Sequence, residues 1–264
     1  MKNLMTLAAM FAAVAMSFSA CNKENPDENK GNDGGNSTEI ENVCPDCGED
    51  PCVCGSDYDA PIKIDGEFAD WDALDANNVA STTCNPDAML TALSHAKVYA
   101  DQYFVYVYFE FIEDEIIDTE EVPFHIYLDA DNSDATGGYG DQWTEAVSEW
   151  NFEGFVMSGG SFCSYDPGLY LWEGEPGENG WLWSDSALYP EGSGIGVGTG
   201  KGNKYEFSLN KEVLTDMEVI FENTFGIGFD IQQTWDSVGI LPNAASTDDN
   251  PQGLAPLLRV NIVK

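Results

Sequence analysis

Lys97-Val98-Tyr99-Ala100-Asp101-Gln102-Tyr103-Phe104-Val105-Tyr106-Val107-Tyr108-Phe109-Glu110-Phe111-Ile112 is the stretch that decides the fold. Two β-rich runs, 97–100 and 103–112, flank the turn pair Asp101-Gln102. Side chains alternate across a strand. In the second run Tyr103, Val105, Val107, Phe109 and Phe111 therefore share one face, and Phe104, Tyr106 and Tyr108 share the other. Both faces are apolar or aromatic. A strand with two such faces is central: one side meets a core, and the other is covered or faces a ligand.

The rest of the chain repeats this grammar. Ile62-Lys63-Ile64 reads as a short strand before the turn pair Asp65-Gly66. Further strands are expected at 124–128, 152–157, 169–172, 181–183, 205–209, 225–235 and 257–262, separated by Gly, Asp, Asn and Pro. After the first residues no segment carries a long 3.6-residue apolar period; 211–217 has room for one or two helical turns. Gly194, Gly196, Gly198, Gly200 and Lys201 do not make a phosphate loop, because Gly202 stands where Ser or Thr is required, so a flexible hairpin loop is expected there. Many short strands with regular turn signals make an all-β fold, a jelly-roll-like β-sandwich spanning 57–264.

The N-terminus reads differently. Lys2 precedes an uncharged apolar run at 4–18, which is short for a membrane span, and Ser17-Phe18-Ser19-Ala20 leads into Cys21. Small residues before a cysteine resemble the bacterial lipobox. That resemblance implies a signal peptide over 1–20 and a diacylglyceryl- and palmitate-bearing Cys21 as the mature N-terminus. Residues 21–43 are mostly Asn, Asp, Glu, Gly, Lys and Ser, with little to bury, and read as a disordered acidic tether. Glu24, Asp27 and Glu28 after the anchor resemble the export signal of surface lipoproteins of the Bacteroidetes, which implies an outer-membrane protein facing the cell surface.

Charge narrows the partners. With 47 acidic against 10 basic residues the net charge is −37. Such a surface repels phosphate backbones, so nucleic acid is excluded as a partner. It repels anionic headgroups as well, which leaves the acyl chain on Cys21 as the membrane contact. Protein partners are not legible.

Three residue groups carry candidate chemistry. Asp129, Asp131, Ser133 and Asp134 follow a strand with oxygens that can curl around calcium, although the sixth and twelfth positions of an EF-hand loop are wrong, being Asp134 and Gly140. The alternative is a plain acidic turn. Cys44, Cys47, Cys52 and Cys54 form a bead over 44–56 that suits zinc held by four thiolates or two disulfides of an exported protein; Cys84 and Cys163 remain as a pair or as buried thiols. Trp143, Trp150, Trp172, Trp181 and Trp183 could stack on sugar rings, with Trp181 and Trp183 alternating beside the Gly- and Glu-rich loop 173–180. Trp71 and Trp235 read as core. The two histidines, His95 and His125, come with no nucleophile elbow, and paired carboxylates arise freely among so many acids. A non-enzyme is expected.

Ile62-Lys63-Ile64-Asp65-Gly66-Glu67-Phe68-Ala69-Asp70-Trp71 resembles the opening of carbohydrate-binding module family 9 and its DOMON-like relatives. The paired run 97–107, the strand and loop 124–137, Glu153-Gly154 and Lys201-Gly202-Asn203-Lys204-Tyr205-Glu206-Phe207 resemble its later steps in the same order. The resemblance implies a β-sandwich that binds a glycan, often with structural calcium; the haem of some relatives would call on Met157 and His125. The expected protein is a non-catalytic, lipid-anchored glycan binder. The other reading is a structural or protein-interaction lipoprotein that keeps the sandwich without a sugar site.

Overall fold

The computed structural model describes residues 58–112, 121–133, 135–138, 142–144, 150–157, 161–162, 168–178, 180–184, 196–233 and 236–264. All of them belong to the second of two units, which divide between Glu39 and Ile40. Cys21, the tether and Cys44, Cys47, Cys52 and Cys54 lie outside the described residues, as do Asp134, Cys163 and Trp235. No described helix is long and apolar enough to cross a membrane.

In chain order the elements are α1 (Ala69–Ala73), β1 (Ala80–Thr83), β2 (Leu93–Ala100), β3 (Phe104–Phe111), β4 (Glu121–Asp129), β5 (Trp150–Met157), β6 (Ser161–Phe162), β7 (Gly168–Leu171), β8 (Gly196–Lys201), β9 (Lys204–Asn210), α2 (Lys211–Asp216), β10 (Thr224–Gln233), β11 (Asp236–Leu241) and β12 (Leu258–Asn261). One sheet runs β1-β2-β3-β9-β8. The other runs β11-β10-β4-β5-β6, with β12 also on β10 and β7 also on β5. Every strand pairing within the sheets is antiparallel.

The central strand behaves as its alternation requires. Val105, Val107, Phe109 and Phe111 of β3 join Phe207 and Leu209 of β9, and meet Phe124, Ile126 and Leu128 of β4 and Phe225, Ile227 and Phe229 of β10 in one buried cluster. Phe124 packs 5.5 Å from Phe109 and 5.7 Å from Phe207, ring centre to ring centre, so aromatic contacts fasten sheet to sheet. The other face of β3, with Phe104, Tyr106 and Tyr108, is covered by Ile62 and Trp71.

That cover is not the strand expected at Ile62-Lys63-Ile64. Its backbone donors go to side chains instead of to a neighbouring strand. Lys63 N–H donates to Asp70 Oδ2 at 2.7 Å. Asp65 and Gly66 donate their N–H groups to Glu206 Oε1 at 3.1 and 2.8 Å, and Trp71 donates its indole N–H to Glu206 Oε2 at 3.0 Å. Glu206, on the outward face of β9, has no exposed surface. Burial pushes its pKa up, and the three N–H donors pull against that. The Asp65-Gly66 turn and Trp71 are thus fixed by one carboxylate some 140 residues later in the chain.

The glycine-rich stretch also departs from expectation. Residues 196–201 form strand β8 and not a flexible loop. Gly200 pairs with Tyr205, and a Cβ there would lie 2.4 Å from the Tyr205 ring. Only glycine lets this strand lie against a buried tyrosine, which itself stacks 5.5 Å from Phe109. The strand expected at 225–235 is β10, after which β11 folds back beside it, and 181–183 holds only an isolated bridge, Trp172 to Trp183. The expected helical turn is α2, where the Asn210 side-chain oxygen caps the N–H groups of Glu212 and Val213.

Candidate functional site

The outer face of the second sheet gathers most of the chemistry-bearing residues. Inward positions on β4 and β10 are apolar, so the intervening positions point outward: His125, Tyr127 and Asp129 on β4, and Gly226, Gly228, Asp230 and Gln232 on β10. Two of these are glycines because neighbouring side chains cross over them. A Cβ on Gly228 would lie 2.5 Å from the Trp143 ring. A Cβ on Gly226 would lie 2.3 Å from the Arg259 guanidinium and 3.0 Å from Asp129 Oδ2.

Tyr127, Trp143, Trp172, Trp183, Ile240 and Leu257 make a second apolar cluster over this face. Trp143 has no exposed surface. It sits 5.1 Å from Tyr127, and its segment is pinned where Thr144 N–H donates to the Ala255 carbonyl at 3.1 Å. Trp172 is 8% exposed, wedged where a Cβ on Gly138 or Gly174 would come within 2.3 or 2.6 Å of its ring, and it donates its indole N–H to the Glu175 carbonyl. Trp183, 6% exposed, meets Trp172 edge-on at 5.2 Å. Trp143, Trp172 and Trp183, three of the five tryptophans expected to offer stacking faces, are therefore used in packing, and glycines opposite Trp143 and Trp172 let those two rings sink into the cluster.

Trp181 differs. It is 60% exposed. Its ring stands edge to face with His125 at 5.8 Å and with Trp183 at 6.4 Å. The loop beneath closes where Glu173 N–H donates to the Leu182 carbonyl at 2.8 Å, and Ser184 N–H donates to the Leu171 carbonyl at 2.9 Å. The expected platform of Trp181 with Trp183 is thus a single exposed ring braced by a buried one. Of Trp150 only the backbone is described.

A polar row lies beside it. His125 stands opposite Asp230 in the β4–β10 register. Asp230 Oδ2 accepts from Gln232 Nε2 at 2.8 Å and from Ser237 Oγ at 2.9 Å. Asp230 Oδ1 accepts no hydrogen bond from a described residue. Full burial pushes the Asp230 carboxyl up to about 7, against the two hydrogen bonds that pull it down.

The acidic loop after β4 carries its own cation. Arg259 Nη1 lies 2.6 Å from Asp129 Oδ2, reaching from β12 across Gly226. Asp129 Oδ1 also accepts from Ser133 N–H at 3.2 Å. Asp131 accepts from Thr136 Oγ1 at 3.0 and 2.9 Å, and Asn132 turns the chain in the left-handed region at φ 52°. Among the described residues no group of three or more His, Cys, Asp and Glu side chains is placed to hold a metal ion. Removing one partner of a pair whose carboxylate is buried leaves an uncompensated charge. Arg259→Ala is expected to lower stability by about 2–3 kcal/mol in urea denaturation. A loss under about 0.5 kcal/mol, the range of ordinary surface changes, would mean that Asp129 does not depend on it.

The remaining sequence candidates have structural roles. His95 Nδ1 hydrogen-bonds Thr83 Oγ1 at 3.1 Å. Cys84 is a free thiol that donates to the Asn85 carbonyl and accepts from Asn243 Nδ2 at 3.3 Å. Residues that sequence reading passed over are Asp230, Gln232 and Arg259. Phe225-Gly226-Ile227-Gly228-Phe229-Asp230-Ile231-Gln232 alternates strictly, and that alternation places Asp230 and Gln232 outward on a strand otherwise free of charge. No protein-family model matches the chain, and no curated protein matches it.

Proposed function

We propose that this chain is a non-catalytic lipoprotein of the bacterial outer surface, anchored through Cys21, whose sandwich binds a glycan with Trp181 as the stacking ring. The observation that carries the proposal is the exposed Trp181 indole, braced edge-on by His125 and Trp183. Sugar rings present C–H faces that pack on a flat aromatic surface, and a pre-fixed ring binds with less loss of side-chain freedom. Calcium belongs to the proposal as a brace for the turn at Asp131 and Ser133. Trp181→Ala in the full mature chain is expected to weaken glycan binding at least tenfold, about 1.4 kcal/mol, while the melting temperature stays close to wild type. Unchanged affinity in that variant would remove Trp181 from the site.

A specific observation favours the second reading, a structural or protein-interaction lipoprotein. Trp143, Trp172 and Trp183 are spent on packing, so a single ring is left to face solvent in this cluster. Under that reading the wild-type chain has no glycan affinity for Trp181→Ala to reduce.

A further inference from the structure

A cleft of about 400 Å³ opens on the first sheet, between the β2–β3 turn and α2. Its residues are not those of the Trp181 face. One wall is Tyr103, whose ring is held by Tyr58 in an edge contact at 4.6 Å. Tyr58 in turn donates its hydroxyl to Asp101 Oδ2 at 2.5 Å, and Asp101 Oδ1 accepts from the N–H groups of Tyr103 and Phe104. The opposite wall is Phe221 with Ile220, which is 68% exposed. Between the walls stands Lys211, with Nζ 2.9 Å from the Asp101 carbonyl and 5.5 Å above the Phe221 ring. Glu212 and Asp216 line the same cleft.

We propose that this cleft is a second small-ligand site, for a neutral saccharide of one or two rings. The volume falls within the usual range of ligand pockets. The charges select the class. Glu212 and Asp216, on a chain of net charge −37, oppose an anion. Lys211 opposes a cation. A polyol suits both, since its hydroxyls accept from an ammonium and donate to carboxylates. Its apolar ring face suits Tyr103 and Ile220. Burial holds the Lys211 ammonium below its usual pKa, with Asp101 opposing that shift, so an added hydroxyl oxygen at Nζ would offset part of the desolvation.

The test is NMR shift mapping on the full mature chain carrying Trp181→Ala, which separates this cleft from the proposed glycan face. The probes are maltose, cellobiose, lactose and methyl β-galactoside, with acetate and tetramethylammonium as charged controls. The expected result is saturable shifts at Tyr103, Lys211 and Ile220 with at least one sugar. Ile220→Glu, at an exposed position that leaves the fold intact, is expected to weaken that binding about tenfold or more. Three results would each overturn the proposal: no shifts at those residues with any of the four sugars, equal binding by Ile220→Glu, or shifts there with acetate or tetramethylammonium instead of sugar. Failure here leaves the Trp181 reading standing, and failure of Trp181 in the wild-type background leaves this one standing.

Discussion

Replacing Glu206 by Ala is expected to destabilise the sandwich by about 3–5 kcal/mol, a large part of the stability of an ordinary domain. The Glu206 side chain is an acceptor for three groups, the N–H of Asp65, the N–H of Gly66 and the indole N–H of Trp71. Two of these bonds are fully buried. Each buried donor left unsatisfied costs about 1–3 kcal/mol. The losses are coupled, because all three donors belong to the segment that covers Phe104, Tyr106 and Tyr108 on β3. Loosening it also exposes the aromatic face beneath. Glu206→Gln keeps one acceptor oxygen but turns an NH₂ toward a donor, so it is expected to fall between Ala and wild type. Urea denaturation reads both variants. A loss below about 1 kcal/mol for Glu206→Ala would show that the segment is held by apolar packing alone.

Asp230 gives the second large effect, and it depends on pH. In the folded chain its carboxyl is raised to about 7, whereas an unfolded aspartate titrates near 3.9. Ionisation therefore costs the folded state more than the unfolded one. Below about pH 4 the group is protonated in both states and the penalty is absent. As pH rises from about 4 to about 7, stability contributed by Asp230 is lost, up to about 4 kcal/mol, and above that the loss is constant. The groups around it are His125 across the β4–β10 register and Gln232 and Ser237 as donors. Asp230→Asn removes the titration. The stability difference between Asp230→Asn and wild type is expected to grow in favour of the variant from pH 4 to pH 8, whatever its offset at pH 4. A difference that is flat with pH, or of opposite slope, would contradict the assignment.

The sandwich was legible in the chain because burial writes itself as alternation. Residues 103–112 have two apolar faces, and the structure gives each a cover, the sheet-to-sheet core on one side and the Ile62–Trp71 segment on the other. What stayed hidden depends on partners distant in sequence. Ile62-Lys63-Ile64 reads as a strand until Glu206 and Asp70 accept nearby backbone donors. Gly196, Gly198 and Gly200 read as a loop, but they lie in β8, where Tyr205 needs the space at Gly200. Asp129 reads as one carboxylate of an acidic loop until Arg259, 130 residues on, brings its guanidinium to it.

The tryptophans show the same limit. Trp143, Trp172, Trp181 and Trp183 are equivalent as letters. Gly138 and Gly174 make room for Trp172 and Gly228 makes room for Trp143, and Gly138 and Gly228 become neighbours of those rings only in the fold. Trp181 stays at the surface.

We propose that the sandwich grips a glycan. The measurement that tests it most directly is a glycan array probed with the full mature chain in calcium, repeated in EDTA and repeated with Trp181→Ala. At least one glycan class is expected to retain the wild-type chain and to release the Trp181→Ala chain. No retention on any glycan, or equal retention of both chains, would contradict it.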